Sequence, residues 1–447
     1  MNIKKSIKKI FGIACMFCML SFSNKQNIQL SDTSGKQIPV LGWAGIPGEN
    51  STTERYKEMA DASFTINLPW DLCYNQTYIT GDPARYFAAL DAAQTAGMKV
   101  FVGAGVLDHF SQENITKLKT HPALAGYVLE DEPTENRFHE LAEWVRKVQA
   151  IDSEHPCHIS LGGNYGYDPA QLPALVNTND TAGFNTSCRK FLRQVPVPFL
   201  SYDHYPIVQD RVDKLWKEWD FKTEINPNKR KIRPTFYQNL ESASSLAKKA
   251  DIPLWAFALA TWHIGDKEYP IPTINDLRLQ VYSNLAYGAQ CIQYFSYWYL
   301  NFGKEAPIEK DGHKTQTYYT IQAMNKEIKA LSPVFLNAKM VWVMHTGEIP
   351  MACTELDKAK LPNVFKSLDI VGGKGAYVSL MEKGNDNFLI VGNHDINENI
   401  TVKAKGTKAL HRVLKDGSVI TLDDVKQTLT PGDIVIYFWK KHEKKIK

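Results

Sequence analysis

The amino-acid sequence predicts an α/β chain, a (β/α)8 TIM barrel followed by a small C-terminal antiparallel β-sandwich. Eight short apolar runs alternate with amphipathic helical stretches between residues 38 and 300. No hairpin turn signature interrupts them, and strands alternating with helices specify a parallel sheet. From about residue 338 the texture changes to apolar–polar alternation with period two, which marks antiparallel strands with one face buried.

The expected strands run, in order, through residues 38–48, 64–70, 98–105, 124–133, 157–165, 197–208, 252–264 and 291–300. Between them, "STTERYKEMADA", "DPARYFAALDAAQTAG", "NRFHELAEWVRKVQAI", "ESASSLAKKA" and "INDLRLQVYSNLAYGA" place apolar residues at helical spacing, with Gly97 and Gly288 near helix ends. A doubly wound open sheet is the rival, but no Gly-rich dinucleotide fingerprint follows the first strand. The last helix ends near "EIKALSPVFLNAKM". Beyond it "GAYVSLME", "NFLIVGNH", "NITVKAK", "LHRVL" and "DIVIYFW" are separated by turns such as Lys383-Gly384-Asn385-Asp386 and Asp416-Gly417. The expected organisation is a leader at 1–23, a barrel at 24–337 and a sandwich at 338–447.

The leader, "MNIKKSIKKIFGIACMFCMLSFS", has four lysines, an apolar stretch and small residues where a signal peptidase would cut. It predicts an exported protein, in the periplasm, at the cell surface or secreted. Cys15 leaves a lipid anchor open. The four lysines account for the whole formal charge of +4, so the basic balance carries no expectation of nucleic acid. Cys73, Cys157, Cys188, Cys291 and Cys353 remain, an odd set without C-x-x-C spacing or clustered histidines. That pattern predicts neither a disulfide framework nor a metal site. No later segment has the roughly 20 apolar residues of a membrane span. Oligomeric state is not legible.

In a (β/α)8 barrel, chemistry sits on the loops leaving the C-terminal strand ends. Those ends carry Trp43, Asn67, Trp70, His109, Asp131, Glu132, Asn164, Tyr202, Asp203, His204, Tyr205, Trp262, His263, Tyr297 and Trp298. Carboxylates among many rings suit a carbohydrate: sugar C–H faces stack on aromatics, and an acetal bond needs a proton donor and a second carboxylate. No phosphate cradle or G-x-S-x-G nucleophile is present, and no cofactor is expected. Strand four ends on Glu130, Asp131, Glu132 and Pro133. Acids there are either chemical or simply well placed before a helix N-terminus; Glu130 and Glu135 are read as solvated or ion-paired.

Asp131-Glu132-Pro133 resembles the Asn-Glu-Pro ending of strand four in clan A glycoside hydrolases, the barrel group that includes family 42-type β-galactosidases. "LRLQVYSNLAYGAQCIQYFSYWY", residues 277–299, also looks like the helix-seven to strand-eight region of barrel glycosidases from polysaccharide-degrading bacteria. The resemblance implies a hydrolase of O-glycosidic bonds in an oligo- or polysaccharide, with Glu132 as general acid/base. Asp131 stands where the family has the asparagine that holds a sugar hydroxyl, and Trp298 where it has a platform. The likeness breaks at strand seven, where the family's nucleophilic glutamate is replaced by the Trp262-His263 ending. Asp203 on strand six is the candidate second carboxylate, with Glu268 as the alternative. The shorter Asp203 side chain leads us to expect a wide carboxyl separation, with room for a water. Trp43, Asn67, His109, Asp131, His204, Tyr205, Trp262, His263 and Trp298 are the expected sugar contacts, and Trp255 and Phe257 are expected in the core. The alternative from another class is a carbohydrate-binding pseudo-glycosidase lacking the strand-seven nucleophile.

Overall fold

The computed structural model describes residues 37–74, 84–103, 112–163, 181–209, 230–264, 268–301, 303–422 and 426–441. The leader, His109 and Asn164 lie outside these residues. Eight parallel strands close a barrel: β1 Val40–Trp43, β2 Ile66–Leu68, β3 Lys99–Gly103, β4 Leu124–Asp131, β5 Cys157–Gly162, β6 Leu200–Asp203, β7 Leu254–Leu259 and β8 Ala289–Phe295. Each neighbours its successor, and β8 returns to β1. A helix follows each strand: α1 Thr53–Asp61, α2 Ala84–Thr95, α3 Gln112–Leu118, α4 Phe138–Ile151, α5 Thr181–Gln194, α6 Thr235–Ala250, α7 Ile274–Ala286 and α8 Gln316–Phe335.

Local chemistry sets these boundaries. α4 buries Phe138, Leu141, Ala142, Val145 and Val148, one stripe at helical spacing. Thr273 and Asp276 form a reciprocal capping box that starts α7. Strands β2 and β7 are buried along their whole length, as strands covered on both faces must be.

The barrel lumen is packed rather than hollow. Trp255 stacks on Phe199 with ring centroids 3.9 Å apart, and Phe101 meets Trp255 edge-on; Trp255 and Phe257 are core, as expected. A polar ladder crosses the same interior: His158 Nε2 meets Gln293 Oε1 at 2.7 Å, Gln293 donates to Ser201 at 2.9 Å, and Ser201 donates to Ser160 at 3.2 Å. Burial pushes the His158 imidazole down to about 4, so this ladder is neutral at physiological pH.

The mouth differs from expectation. Loops after β6, β7 and β8 pair into an antiparallel sheet of Gly303–Lys304, Trp262–Ile264, Glu268–Tyr269, Ile207–Gln209 and Arg230–Ile232. The sequence shows no hairpin there because each of the runs 197–208 and 252–264 joins a barrel strand to a mouth strand, both buried. Backbone over a buried mouth must satisfy its own hydrogen bonds, and a short ladder does so.

After α8 come two antiparallel sheets. One has six strands, in the order Lys339–Gly347, Gly375–Lys383, Asp386–Asn393, Ile434–Lys440, His411–Val413 and Val419–Thr421; the other has Phe365–Val371, Ile400–Gly406 and Gln427–Leu429. One face of the larger sheet, including Phe388, Ile390 and Ile436, joins the hydrophobic shell around the barrel. Polar ties reinforce the joint: Ser379 donates to the Ala286 carbonyl at 2.6 Å, and the Tyr287 hydroxyl meets His345 Nε2 at 2.8 Å.

Strand β4 carries a glycine where a side chain cannot fit. A Cβ on Gly126, at φ +153°, would lie 2.3 Å from the Pro156 carbonyl oxygen and 2.7 Å from the Phe101 ring. Backbone cannot yield cheaply, so Gly126→Ala is expected to destabilise the chain by about 2 kcal/mol or more. Urea unfolding checks it; a midpoint equal to wild type would show that strand four accommodates the methyl group.

Candidate active site

Strand β4 is bulged just before its acidic end: its register with β5 shifts between Val128 and Glu130. Bulges re-aim side chains. Glu132 then adopts a left-handed backbone, φ +48°, while its N–H donates to the Ser160 carbonyl at 2.8 Å. Such a conformation costs a non-glycine residue about 1–3 kcal/mol. The turn separates three neighbouring acids. Glu130 pairs with Arg137 at 3.1 Å, and Glu135 pairs with Lys190, so both are the ion-paired residues expected. Asp131 and Glu132 are left at the mouth.

Glu132 reaches sideways over the end of β5. A Cβ on Gly162 would stand 3.0 Å from Glu132 Oε1, so the missing side chain is the space the carboxyl occupies. Gly162 is in register with Asp203 on β6, and the Glu132 and Asp203 side chains are hydrogen-bonded to each other. Gly163 N donates to Asp203 Oδ1 at 3.3 Å. The wide separation expected from the short Asp203 side chain is therefore absent: a glycine between the strands lets the carboxyls touch.

Two carboxyls in contact cannot both ionise cheaply. Asp203 is the first cause that raises the Glu132 carboxyl well above its ordinary value, followed by burial, Asp131 and the hydrogen bond itself. Asp131 is also raised, by burial first, then by Asp203 and Glu130. The cluster therefore holds protons at a pH where isolated carboxyls have lost theirs.

Aromatic rings wall this cluster. Trp43, at the end of β1, lies 5.0 Å from Trp70, 6.2 Å from Tyr74 and 5.1 Å from Phe295 by ring centroids. Trp70 is 45 % exposed, an unusual cost for so large an apolar ring. Tyr205 packs against Phe295 at 5.6 Å and edge-on to His263 at 6.1 Å, and His263 stacks parallel on Tyr269 at 4.3 Å. The carboxyls are close enough to raise two hydroxyls electrostatically, after burial: Asp131 acts on Tyr74, and Asp203 on Tyr205.

The other expected contacts fall elsewhere. Asn67 is fully buried; its amide donates to the Tyr56 hydroxyl and Ile46 carbonyl and accepts from Ile46 N. It fastens the loop after β1. His204 is buried against Phe236, with Nε2 3.0 Å from the Thr235 hydroxyl. Trp262 is 3 % exposed and donates its indole N–H to Glu268, also buried, at 3.1 Å; Glu268 thus serves the mouth sheet. Trp298 is buried beneath the Arg55 guanidinium, 5.4 Å from its ring. Strand eight ends three residues earlier, and Phe295 takes the place expected for Trp298. Strand seven ends on Leu259 and Ala260, without a carboxylate. Reasoning from sequence missed Tyr74, Tyr269 and Phe295; the "GG" at 162–163 was the visible sign of the carboxyl contact.

No protein-family model matches the chain, and no curated protein matches it by sequence. Solved structures match its fold. A family 42 β-galactosidase from G. stearothermophilus superposes with a TM-score of 0.55 at 8% identity, covering 91% of this chain and 98% of that one. A β-galactosidase from Bacillus circulans sp. alkalophilus gives 0.56 at 9% identity, covering 90% and 99%. A glycoside hydrolase family 5 protein from Bacteroides vulgatus gives 0.52 at 12% identity, covering 90% and 89%. At such identities the likeness establishes a shared fold.

The carboxyl contact has a thermodynamic signature. With the folded Glu132 value raised above its ordinary 4.5, the folded chain binds more protons than the unfolded one above that pH. Stability therefore falls as pH rises from the unfolded value through the folded value. Asp203→Asn removes the first cause of the shift, so its stability should fall less than that of wild type between pH 5 and pH 8. Urea midpoints at the two pH values measure this, and equal losses in both proteins would contradict the contact.

Proposed function

We propose that the chain is an exported glycoside hydrolase acting on an oligo- or polysaccharide, with Glu132 as general acid. The observation that carries this reading is the Glu132–Asp203 carboxyl pair, which keeps a proton at the barrel mouth within an aromatic wall suited to sugar faces. The fold shared with β-galactosidases and a family 5 glycoside hydrolase supports it. Export rests on the basic and apolar character of residues 1–23. Among the described residues, no helix is long and apolar enough to cross a membrane.

In this reading Glu132 gives its proton to the leaving glycosidic oxygen while the Asp203 carboxylate stabilises the positive charge growing on the sugar ring. Proton transfer leaves two carboxylates in contact. As the glycosidic bond breaks, a water adds to the anomeric carbon, and the proton it sheds is captured by the two mutually repelling carboxylates, which resets the acid. Asp131, raised by burial and by its neighbours, is a neutral carboxyl with one donor and one acceptor. Those are the two groups an asparagine amide would offer a sugar hydroxyl. Because the Glu132 and Asp203 carboxyls touch, Asp203 acts beside the acid, on the same side of the scissile bond. The strand-seven ending, Leu259-Ala260, favours a second reading, a barrel that binds glycans without cleaving them.

A screen of the wild-type protein and its Glu132→Gln variant against aryl glycosides and polysaccharides separates the two. Hydrolysis that falls by about 10²- to 10⁴-fold in Glu132→Gln, with binding retained, is expected. Glu130→Gln should be nearly silent, since Glu130 is occupied by Arg137. Binding without hydrolysis in wild type would establish the second reading. Full activity in Glu132→Gln would remove Glu132 from the chemistry.

A further inference from the structure

The two sheets of the sandwich enclose a row of side chains that obeys period two until one end. Ala376 and Val378, Leu389 and Val391, and Val435 and Tyr437 fill the space between the sheets. Continuing the alternation along the same three strands brings Glu382, Asn387 and Trp439 onto that inner face. The register confirms it: Asn387 lies opposite Glu382 on one side and Trp439 on the other. A carboxamide therefore stands where the pattern calls for an aliphatic residue.

Asn387 is only 5 % exposed and Trp439 only 7 %; among the described residues neither the Asn387 amide nor the Trp439 indole N–H is bonded within the protein, and their polar atoms keep contact with solvent. What little surface both groups retain opens into a groove of about 520 Å³ at the end of the sandwich, within the size range of ligand sites. Leu380 and Trp439 give it an apolar side, and the Asn363 and Thr407 side chains add polar groups at its rim. Its charge is unbalanced. Lys360, Lys440 and Lys441 line it with Glu382; Glu382 pairs with Lys441 at 2.8 Å and Lys440 pairs with Asp386 at 3.3 Å, so the excess positive charge is that of Lys360.

We propose that this groove is a second binding site, which takes a short segment of an anionic glycan bearing uronate or sulfate groups. Asn387 and the Trp439 N–H meet sugar hydroxyls, the Trp439 ring and Leu380 contact C–H faces, and Lys360 holds an acid group. The opposite face of this sheet covers the barrel shell, so the site stands on the sandwich alone and does not depend on turnover in the barrel.

The test is calorimetric titration of the Glu132→Gln protein with a galacturonate hexamer and with a neutral galactose hexamer, at low and high salt. The acidic hexamer is expected to bind more tightly, and less so in high salt. Adding Asn387→Leu should weaken the groove by about tenfold or more, the equivalent of one lost hydrogen-bonded contact. It should leave the unfolding midpoint unchanged or raised, because an aliphatic side chain replaces an amide without a partner. Trp439→Phe, which keeps the ring and deletes the N–H, is the second variant if Asn387→Leu folds poorly. If the barrel mouth also binds the hexamer, the variant loses one of two sites; if it does not, the variant loses the only one. Unchanged binding in both variants, equal affinity for the neutral hexamer, or no binding at millimolar concentration would overturn the proposal.

Discussion

The site depends on an electrostatic conflict held in place by a glycine. Glu132 and Asp203 rise from strands separated by one other strand, and any side chain at Gly162 would occupy the space in which their carboxyls meet. Like charges in contact settle by keeping a proton, and a retained proton is what an acid catalyst needs. The bulge in β4 and the left-handed Glu132 backbone serve the same contact. They break the strand's alternation, sending Glu130 to Arg137 while Glu132 turns over β5.

Around that pair, the barrel separates rigid support from chemistry. Below it, the lumen is filled by Trp255 on Phe199 and by the neutral ladder from His158 to Ser160. Because Ser160 also offers its backbone carbonyl to Glu132 N, the ladder's strand and the acid's turn are one hydrogen-bonded unit. Above it, mouth loops pair with each other instead of fraying, and they carry His263 and Tyr269 as a stacked pair into the wall. Aromatic pairs of this kind contribute about 0.5–1.5 kcal/mol each beyond area burial, which adds to the order the ladder's own hydrogen bonds give these loops.

The sandwich is joined to the barrel by burial, with few polar ties. One face of its larger sheet shares the barrel's hydrophobic shell, with Ser379 and the Tyr287–His345 bond at the joint. His345 is pushed down to about 3 by burial and by its stacked neighbour His394, so its bond to Tyr287 is uncharged near neutrality. The other face keeps its own apolar filling until Asn387 interrupts it. Departures from pattern in a folded core are costly, and they concentrate where a protein meets a ligand.

The sequence by itself determined the eight strand–helix units, the change to a sandwich after the last helix, and the placing of three acids at the end of strand four. Those features follow from periodicity and from local chemistry, which neighbours in the chain carry between them. It also showed that strand seven ends without a carboxylate. Only the tertiary structure decided which strand-end residues share the mouth. Asn67 and Trp262 look like sugar ligands in the sequence, but their polar atoms are taken by Ile46, Tyr56 and Glu268, residues brought near by loop packing. Trp298 lost its place to Phe295 because the strand ended three residues sooner than its apolar run. The contact between Glu132 and Asp203 was invisible for the same reason: it depends on a bulge, one left-handed residue and an absent Cβ on the strand between them. Each is a property of three strands in register, which no single stretch of sequence contains.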